Sequence, residues 1–187
     1  CNIFLLISTT ALRVIKGKHK GRRLVAPKNI PTRPTTDFAK EGLFNILDHK
    51  IYFEGLRVLD LFSGTGNIGL EFSSRGAEMV LSVEQNRNCI AFQISTIKDL
   101  NLEIRVSKQN VFKFLKKENE KSFDLIFADP PYQSPELTDL PDLVFAHNWL
   151  DSEGWFILEH GKEHNFEMKT HFRFTRKFGH VNFSFFS

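Results

Sequence analysis

The 187-residue sequence predicts an α/β fold, in which a doubly wound and mainly parallel sheet carries helices on both faces. Three observations predict it. Apolar, strand-like runs alternate with amphipathic helical segments, a glycine loop joins one such run to a helix, and the C-terminal residues alternate as a hairpin does. The length fits one domain with a sizeable core.

Seven strands are predicted, and helices separate the first five. An amphipathic helix follows the segment Thr35-Thr36-Asp37, any of which could be its N-cap. The strand-like runs are RVLDLF (57–62), EMVLSVE (78–84), EIRVSK (103–108), FDLIFAD (123–129) and GWFILEH (154–160). Helices are predicted through about residue 75, over about 87–100, within VFKFLKK and over about 136–150. Two terminal strands flank Gly179 and His180, which makes the terminal hairpin antiparallel.

Positive charge is concentrated near the N-terminus. Eight Lys and Arg lie between residues 13 and 33, and no acidic residue precedes Asp37; subtracting those eight charges from the net +3 leaves the rest at −5. Glycines and prolines interrupt the segment, so it is predicted to be an extended arm that suits the phosphates of a nucleic acid. A merely solvated face is the alternative. The candidate contacts are Arg13, Lys16, Lys18, Lys20, Arg22, Arg23 and Arg33.

We predict three parts in the chain: an N-terminal extension (1–12), a basic arm (13–36) and the main domain (37–187). The apolar opening is too short to span a bilayer and lacks the basic start of a signal peptide. Cys1 and Cys89 have no metal-ligand spacing, so no metal is expected, and a reduced cytoplasmic compartment fits. A monomer is expected.

The glycine loop Gly64-x-Gly66-x-x-Gly69 stands directly after a strand and before a helix. Such a loop lets a ligand approach the backbone closely, and a dinucleotide is one candidate. Asp60, at the end of the strand, would repel a pyrophosphate and favours a positively charged ligand such as S-adenosylmethionine. Glu84 ends the next strand, where it could accept hydrogen bonds from ribose hydroxyls in either case.

A second corner follows the fourth predicted strand, where FDLIFAD runs into Asp129-Pro130-Pro131-Tyr132. Consecutive prolines cannot pair in a central sheet, so the strand must stop there. In such sheets ligands bind at the carboxyl ends of strands, so this corner and the glycine loop can share one cleft. A carboxylate, a free proline carbonyl and an aromatic face suit an exocyclic amino group on a planar base. A tight turn with a solvated Asp is the alternative.

Together, LDLFSGTGNIGLE, SVE and DLIFADPPY resemble class I S-adenosylmethionine-dependent amino-methyltransferases with a DPPY motif. The segment RVIKGKHKGRRLVAPKNIPTRPTTDFAKEGLFNIL, with KFGHVNFSFF at the end, resembles the RsmD family, which methylates the N2 of one guanine in 16S ribosomal RNA. The resemblance covers about residues 13–186. It implies a Rossmann-like methyltransferase sheet, S-adenosylmethionine as cofactor, and ribosomal RNA or the small subunit as partner of the arm.

The resemblance also implies a role for each motif residue. The base would be held by Asp129, Pro130, Pro131 and Tyr132. Where family members usually carry an Asp for the adenine amino group, this chain has Asn110, whose amide oxygen can still accept. The methionine moiety would be held by Asp60, Phe62, Gly64 and Gly66, and the ribose by Glu84. Thr35 and Thr36 would form a wall of the pocket, and the further cofactor-binding residues would be Ser63, Thr65, Gln85 and Val111.

Other functions are weighed against this one. An adenine-N6 or other amino-methyltransferase acting on nucleic acid would use a similar corner, and a catalytically silent RNA-binding assembly factor could share the fold. A dehydrogenase is disfavoured by Asp60 and by the lack of a convincing proton-relay residue. His160, at the end of the fifth predicted strand, is expected to be structural.

Overall fold

The computed structural model of the protein describes residues 11–27, residue 30 and residues 35–187. An N-terminal hairpin precedes a domain of alternating strands and helices. The strands are β1 (Ala11–Arg13), β2 (Arg23–Val25), β3 (Arg57–Leu61), β4 (Met79–Glu84), β5 (Ile104–Lys108), β6 (Phe123–Ala128), β7 (Leu150–His160), β8 (Phe172–Phe178) and β9 (Val181–Phe186). The α-helices are α1 (Asp37–Asp48), α2 (Asn67–Ser74), α3 (Arg87–Leu100), α4 (Val111–Leu115) and α5 (Leu140–Ala146).

Strands β3 to β9 form one seven-stranded sheet in the order β5-β4-β3-β6-β7-β9-β8. Neighbours from β5 to β7 pair in parallel, whereas β9 and β8 complete the sheet antiparallel. The predicted fold class, a doubly wound and mainly parallel sheet with an antiparallel terminal hairpin, is therefore confirmed. Because the parallel strands point the same way, their carboxyl ends and the loops that follow meet at one edge of the sheet.

The central strands are apolar on both faces because helices cover both sides of the sheet. In β3, Leu59 and Leu61 pack into a cluster with α4 and α5, whereas Val58 packs on the other face with α1 and α2. The run FDLIFA of β6 divides in the same way, which explains why its sequence does not alternate. None of the helices within the described residues combines the length and the apolar character that a membrane crossing requires.

The segment between β6 and β7 differs from the prediction of one helix over 136–150. A short 3₁₀ turn (Leu137–Asp139) leads into α5, which begins at Leu140 with Pro141 in its first turn. Asn148 then adopts a left-handed backbone conformation (φ 53°), and β7 starts at Leu150 rather than at residue 154. Helix α5 is shorter than predicted because Pro141 is tolerated only in the first turn of a helix. The left-handed residue Asn148 prevents the helix from continuing.

At the N-terminal end of the domain, Thr36 is the N-cap of α1, since its side chain accepts a hydrogen bond from the Ala39 N–H. Ala11 and Leu12, which the sequence assigned to the extension, lie in β1 and pair with Val25 and Leu24 of β2. Residues 1–10 and Arg33 lie outside the described residues. The division between arm and domain at residue 36 stays a prediction.

The N-terminal hairpin of β1 and β2 packs against α2 through hydrogen bonds of the hairpin main chain. The carboxylate of Glu71 accepts hydrogen bonds from the Ile15 N–H (2.8 Å) and the Lys16 N–H (3.0 Å). Near the end of the helix, the Ser74 hydroxyl donates to the Lys16 carbonyl (2.7 Å), and the Ser74 carbonyl accepts from the Lys18 N–H (2.7 Å). The chain from residue 13 to 18 therefore runs along α2 towards its C-terminus.

A fully buried ammonium group joins the hairpin to both helices. Lys40 Nζ donates to the Arg13 carbonyl (2.6 Å) and to Asn67 Oδ1 (2.7 Å), and it lies 3.6 Å from Glu71 Oε2. Burial lowers the pKa of Lys40, while the negative charge of Glu71 acts in the opposite direction. Arg75 completes the network by donating to Glu71 (2.9 Å). A buried charge is tolerated here because two hydrogen bonds and an ion pair with Glu71 offset the loss of hydration.

Replacing Lys40 with Met should lower the free energy of unfolding by roughly 3 kcal/mol, because it leaves the buried acceptors around it without a donor. Urea denaturation measures the loss. Amide hydrogen exchange at Val14–Lys16 should accelerate more than exchange in β6, since the hairpin loses a tie that the sheet does not use. The exposed Lys98→Met is the matched control; equal stability of the two variants would contradict the role given to Lys40.

Candidate active site

Four carboxylates lie on four adjacent strands at the carboxyl edge of the sheet. Across the sheet their order is Glu84 at the end of β4, Asp60 in β3, Asp129 directly after β6, and Glu159 near the end of β7. Strand registration aligns them, because Leu61 pairs with Ala128 and Ala128 pairs with Leu158. A row of negative charge at low-dielectric strand ends attracts a cation and repels a phosphate.

The glycine loop between β3 and α2 is held in an unusual backbone conformation. Gly66, the N-cap of α2, has φ 77°, and a side chain there would approach Gln93 to 3.1 Å. Phe62 also has a positive φ (55°), which is uncommon for a bulky residue and costs on the order of 1 kcal/mol. Its ring packs edge-on against Phe112, with 5.5 Å between centroids. Backbone strain of this kind is typical of ligand-binding loops.

Buried side chains from neighbouring elements brace this loop. Glu84 accepts a hydrogen bond from the Gly64 N–H (2.8 Å) with one oxygen and from the N–H groups of Gln85 and Asn86 with the other. On the opposite side, the Gln93 amide donates to Ser63 Oγ (2.9 Å) and to the Gly64 carbonyl (2.7 Å). Sequence reasoning missed Gln93, because nothing in the pattern of α3 distinguishes it from a surface residue.

Asp60 is buried and accepts a hydrogen bond from the Gly69 N–H in the first turn of α2 (3.0 Å). Burial raises the pKa of Asp60 to about 7; the Gly69 hydrogen bond lowers it, and the charge of Glu84 raises it further. The carboxyl group therefore changes its charge near neutral pH. Ser63 and Thr65, the other loop residues predicted for the cofactor, are buried in the same loop.

The predicted corner after β6 has one buried and one exposed proline. Pro130 is buried, Pro131 is exposed, and Asp129 and Tyr132 are half-buried. The Asp129 N–H donates to the Leu61 carbonyl (3.3 Å), which fixes the corner beside the end of β3. Burial raises the pKa of Asp129 well above its usual range, and the charges of Glu159 and Asp60 raise it further.

Glu159 is a residue of this site that sequence reasoning missed. Its two carboxylate oxygens accept hydrogen bonds from the Tyr132 hydroxyl (2.8 Å) and from the Thr35 hydroxyl (2.7 Å). The Tyr132 carbonyl is in turn hydrogen-bonded to His164 Nε2 (2.8 Å). Burial raises the pKa of Glu159, and its two hydroxyl partners lower it. An acidic residue at the end of the apolar run GWFILEH was the available signal.

Thr35 and Thr36, predicted to wall the cofactor pocket, lie between the two halves of the site. The Thr35 carbonyl accepts a hydrogen bond from the Asn67 amide (3.4 Å) at the start of α2, and its hydroxyl bonds to Glu159. Thr36 is committed to capping α1. Thr35 thereby connects the helix after the glycine loop to the corner that holds Tyr132.

The residues predicted to contact an adenine lie together at the start of α4. Asn110 Oδ1 caps this helix by accepting from the Lys113 N–H (3.1 Å), and its amide donates to Gln85 Oε1 (3.3 Å). Val111 is buried beneath them. The Asn110 oxygen thus has an intramolecular partner, which is a reason for Asn at this position besides any ligand.

The basic residues of the arm fall into two groups. Arg13 forms ion pairs with Asp37 and Glu41, and Lys16 pairs with Asp48 (3.3 Å). The other four, for which no ion pair with the described part of the chain is found, are Lys18, Lys20, Arg22 and Arg23. Lys18 sits at the C-terminus of α2, and this helix of eight residues is about 12 Å long. The tip of the hairpin is therefore one helix length away from the glycine loop.

His160 is structural, as predicted. One ring nitrogen is hydrogen-bonded to the Gly161 carbonyl (2.8 Å) and the other to Ser184 Oγ (2.7 Å), and burial lowers its pKa. Within residues 11–27, 30 and 35–187, no three His, Cys, Asp or Glu side chains form a group that could hold a metal ion.

Comparison with known proteins places the chain in a family. The family model described as "Conserved hypothetical protein 95" matches residues 12–187. The chain is 38% identical to "Putative rRNA methyltransferase YlbH" of Bacillus subtilis over 81% of its own length and 84% of that protein. It is 34% identical to "Ribosomal RNA small subunit methyltransferase D" of Buchnera aphidicola, over 80% of this chain and 76% of that one.

A solved structure gives the same result. The "Putative methyltransferase yhhF" of Escherichia coli superimposes with a TM-score of 0.80 at 28% identity, over 95% of this chain and 97% of that chain. The chain belongs to the family that the model describes, and the resemblance to the RsmD family inferred from the sequence is confirmed.

The raised pKa of Asp60 predicts a pH-dependent cost to stability. The unfolded carboxyl ionises near pH 4, so the contribution of Asp60 is fully present below that pH and is lost as pH rises to about 7. Asp60→Asn keeps the acceptor for Gly69 but does not titrate. Between about pH 5 and pH 8, urea denaturation should show the variant gaining about 2 kcal/mol relative to wild type. The exposed Asp139→Asn should show no such gain, and parallel curves for Asp60→Asn would contradict the assignment.

Proposed function

We propose that this chain, as a member of that family, transfers a methyl group from S-adenosylmethionine to the N2 amino group of a guanine in small-subunit (16S) ribosomal RNA. The observation that carries the proposal is the Asp129–Tyr132 corner, fixed beside the glycine loop at one sheet edge with a row of four carboxylates. The names of the relatives YlbH and small subunit methyltransferase D support the same substrate class.

The residues of the glycine loop fit this cofactor better than a dinucleotide. Asp60 and Glu84 are buried acids at the strand ends, where a pyrophosphate would be repelled and a ligand with an ammonium and a sulfonium group would be attracted. Asp60, Phe62, Gly64 and Gly66 would hold the methionine moiety. When bound, S-adenosylmethionine supplies a methyl group activated by the positive charge on its sulfur. The ribose would be bound by Glu84 and Gln85. The adenine would be bound by Asn110 and Val111.

The corner at β6 would hold the guanine by its exocyclic amino group. Asp129 and the Pro130 carbonyl accept the N–H bonds of that group, and the ring of Tyr132 provides a face for the base. Because the Tyr132 hydroxyl is bound by Glu159 and its carbonyl by His164, the ring orientation is fixed before the base arrives. Such preorganisation is the main source of catalysis in a reaction of this kind.

Methyl transfer releases a proton, and this gives Asp129 a second proposed role. The amino nitrogen forms a bond to the methyl carbon as the carbon–sulfur bond breaks, and the nitrogen must then lose one proton. We assign this proton to Asp129, whose raised pKa makes it a stronger base than an ordinary Asp. Glu159 contributes to that raised pKa through its negative charge.

The RNA substrate would contact the protein in two places, one at the reacting base and one farther away. The target base must leave its stack to enter the corner. Lys18, Lys20, Arg22 and Arg23 lie about one helix length away, where they would contact phosphates of the surrounding RNA. A ribosomal RNA substrate supports a cytoplasmic location for the protein. An assembly factor without activity is the alternative, and an intact corner favours the enzyme.

The central test is methyl transfer to 16S ribosomal RNA isolated from a strain that lacks this gene. Wild-type protein should produce N2-methylguanine, detected by mass spectrometry of the digested RNA. Asp129→Ala should reduce the rate by at least about 100-fold, because it removes both an acceptor and the proton acceptor. The variant should still gain thermal stability from S-adenosylmethionine.

Asp139→Ala, an exposed acid in the following segment, is the matched control and should retain wild-type activity. If Asp129→Ala methylates normally, the role of the corner is wrong. If wild-type protein methylates no guanine and NAD rather than S-adenosylmethionine raises its melting temperature, the proposed activity is wrong.

The charge of Glu159 should set the pH dependence of the rate. Glu159→Gln removes a negative charge beside Asp129, so the pKa of Asp129 falls and the ascending limb of kcat/KM moves to lower pH. Tyr132→Phe removes the hydrogen bond from Tyr132 to Glu159 but keeps the carboxylate, so it should lower kcat without moving the limb to lower pH. Rates between about pH 5 and pH 9 would decide this; an unmoved limb in Glu159→Gln contradicts the coupling.

A further inference from the structure

A small polar cavity borders the buried side of the glycine loop. Its lining comes from the loop and the start of α2, from β4, from α3 and from β5, and the polar side chains in it are Thr65, Ser82, Gln93 and Thr96. All four are buried. The space in the cavity that a water-sized molecule can reach is about 10 Å³. One buried water needs roughly 10–15 Å³ measured in this way, so the cavity has room for a single water molecule.

Two side chains of this lining carry a buried atom that lacks a hydrogen-bond partner among the described residues. These atoms are Ser82 Oγ and Gln93 Oε1. Native proteins pair nearly all of their buried polar atoms, and they use ordered water where the chain itself offers no partner. Because both residues line the same cavity, one small molecule can satisfy both atoms.

The glycine loop fixes the orientation of the Gln93 amide. The Gly64 carbonyl can only accept a hydrogen bond, so the Gln93 nitrogen, 2.7 Å away, must be the atom that faces it. The same nitrogen donates to Ser63 Oγ (2.9 Å). The Gln93 oxygen is therefore turned away from these two partners and still requires a donor.

Two glycines of the loop motif leave room for these polar atoms. A Cβ atom at Gly66 would lie 3.3 Å from Gln93 Oε1, and a Cβ atom at Gly69 would lie 3.4 Å from Ser82 Oγ. The sequence analysis gave Gly69, the third glycine of the motif, no part in holding the cofactor. Its missing side chain lets Ser82 approach the first turn of α2 from the strand below.

We propose that this cavity binds one water molecule, which joins Ser82 of β4 to Gln93 of α3. The Ser82 hydroxyl donates to the water oxygen, and the water donates to Gln93 Oε1. The hydroxyl groups of Thr65 and Thr96 on the same lining offer a third partner, the usual number for a buried water. None of the residues that line the cavity, all within the described part of the chain, is charged, which favours a neutral ligand over an ion.

The water connects Gln93 to the sheet as well as to the loop. On one side, the Gln93 amide holds the loop at Gly64. On the other side, the water ties it to Ser82 of β4, which pairs with Asp60 of β3. The loop is thereby fixed relative to the strands whose ends carry the buried acids. The water serves the glycine loop whichever base the protein methylates.

Ser82→Ala distinguishes a hydrated cavity from a dry one by the sign of its effect. If a water bridges the two residues, the variant loses a buried hydrogen bond, and its melting temperature should fall by roughly 1–6 °C. If the hydroxyl were unpaired, its removal would leave the melting temperature unchanged or raise it. Ser152→Ala, the same substitution at an exposed position of β7, is the matched control. A melting temperature of Ser82→Ala at or above that of the control overturns the proposal.

The effect on the loop is measured by amide hydrogen exchange. Exchange at Gly64 and Gly66 should accelerate in Ser82→Ala more than exchange in β6, because the brace of the loop is weakened while the sheet pairing is kept. Equal acceleration in both places would indicate a general loss of stability and would contradict the bracing role.

A double-mutant cycle tests whether Ser82 and Gln93 share one water. Gln93→Met keeps the length of the side chain but removes its oxygen and its nitrogen. With the bridge already broken, adding Ser82→Ala should cost less than it costs in wild type, as measured by urea denaturation. Additive losses would show that the two residues are independent, which overturns the proposal.

A high-resolution crystal structure provides the direct measurement. We expect density for one water within hydrogen-bonding distance of both Ser82 Oγ and Gln93 Oε1, and its loss or displacement in Gln93→Met. A direct hydrogen bond between the two side chains, or a cavity without density, would overturn the proposal. Neither result would affect the proposed function, which depends on methyl transfer to ribosomal RNA.

Discussion

Parallel pairing of β4, β3, β6 and β7 is the constraint on which the site depends. It brings the carboxyl ends of four strands to one edge, so residues that are up to 99 positions apart in the chain, from Asp60 to Glu159, become neighbours. The same arrangement forces four carboxylates together in a poorly solvated place. Burial raises the pKa of Asp60, Asp129 and Glu159, and repulsion by neighbouring carboxylates raises it further for Asp60 and Asp129.

The protein handles buried charge differently where the hairpin is attached and at the carboxyl ends of the strands. Around Lys40 and Glu71, opposite charges and main-chain groups satisfy one another, and the result is a rigid attachment of the hairpin. At the strand ends, charges of one sign are left facing each other with hydroxyl and amide partners only. The first arrangement stabilises the fold, whereas the second would itself be stabilised by a bound cation.

Much of the fold and half of the site could be predicted from the sequence. Apolar runs and a glycine loop in strand–loop–helix context identified β3, β4 and β6, and the double proline marked the corner at Asp129, because these are local signals. Gln93 and the ion pairs of Arg13 could not be predicted, because their partners are distant in sequence. For Glu159 only its position at the end of an apolar run was visible, since its partners Thr35 and Tyr132 are also distant. The early end of α5 depends on the left-handed conformation of Asn148, which its sequence permits but does not require.

The attachment of the hairpin through main-chain groups has an evolutionary consequence. From Arg13 to His19, the bonds to Lys40, Glu71 and Ser74 use carbonyls and N–H groups that nearly every amino acid possesses. Side chains at positions 18, 19, 20 and 22 can therefore vary without loosening the segment from its helix, whereas Gly21, with φ 82°, is constrained by its backbone. Under the proposed function, the contacts of these side chains with RNA could change while the attachment of the segment to α2 and the catalytic chemistry stayed the same.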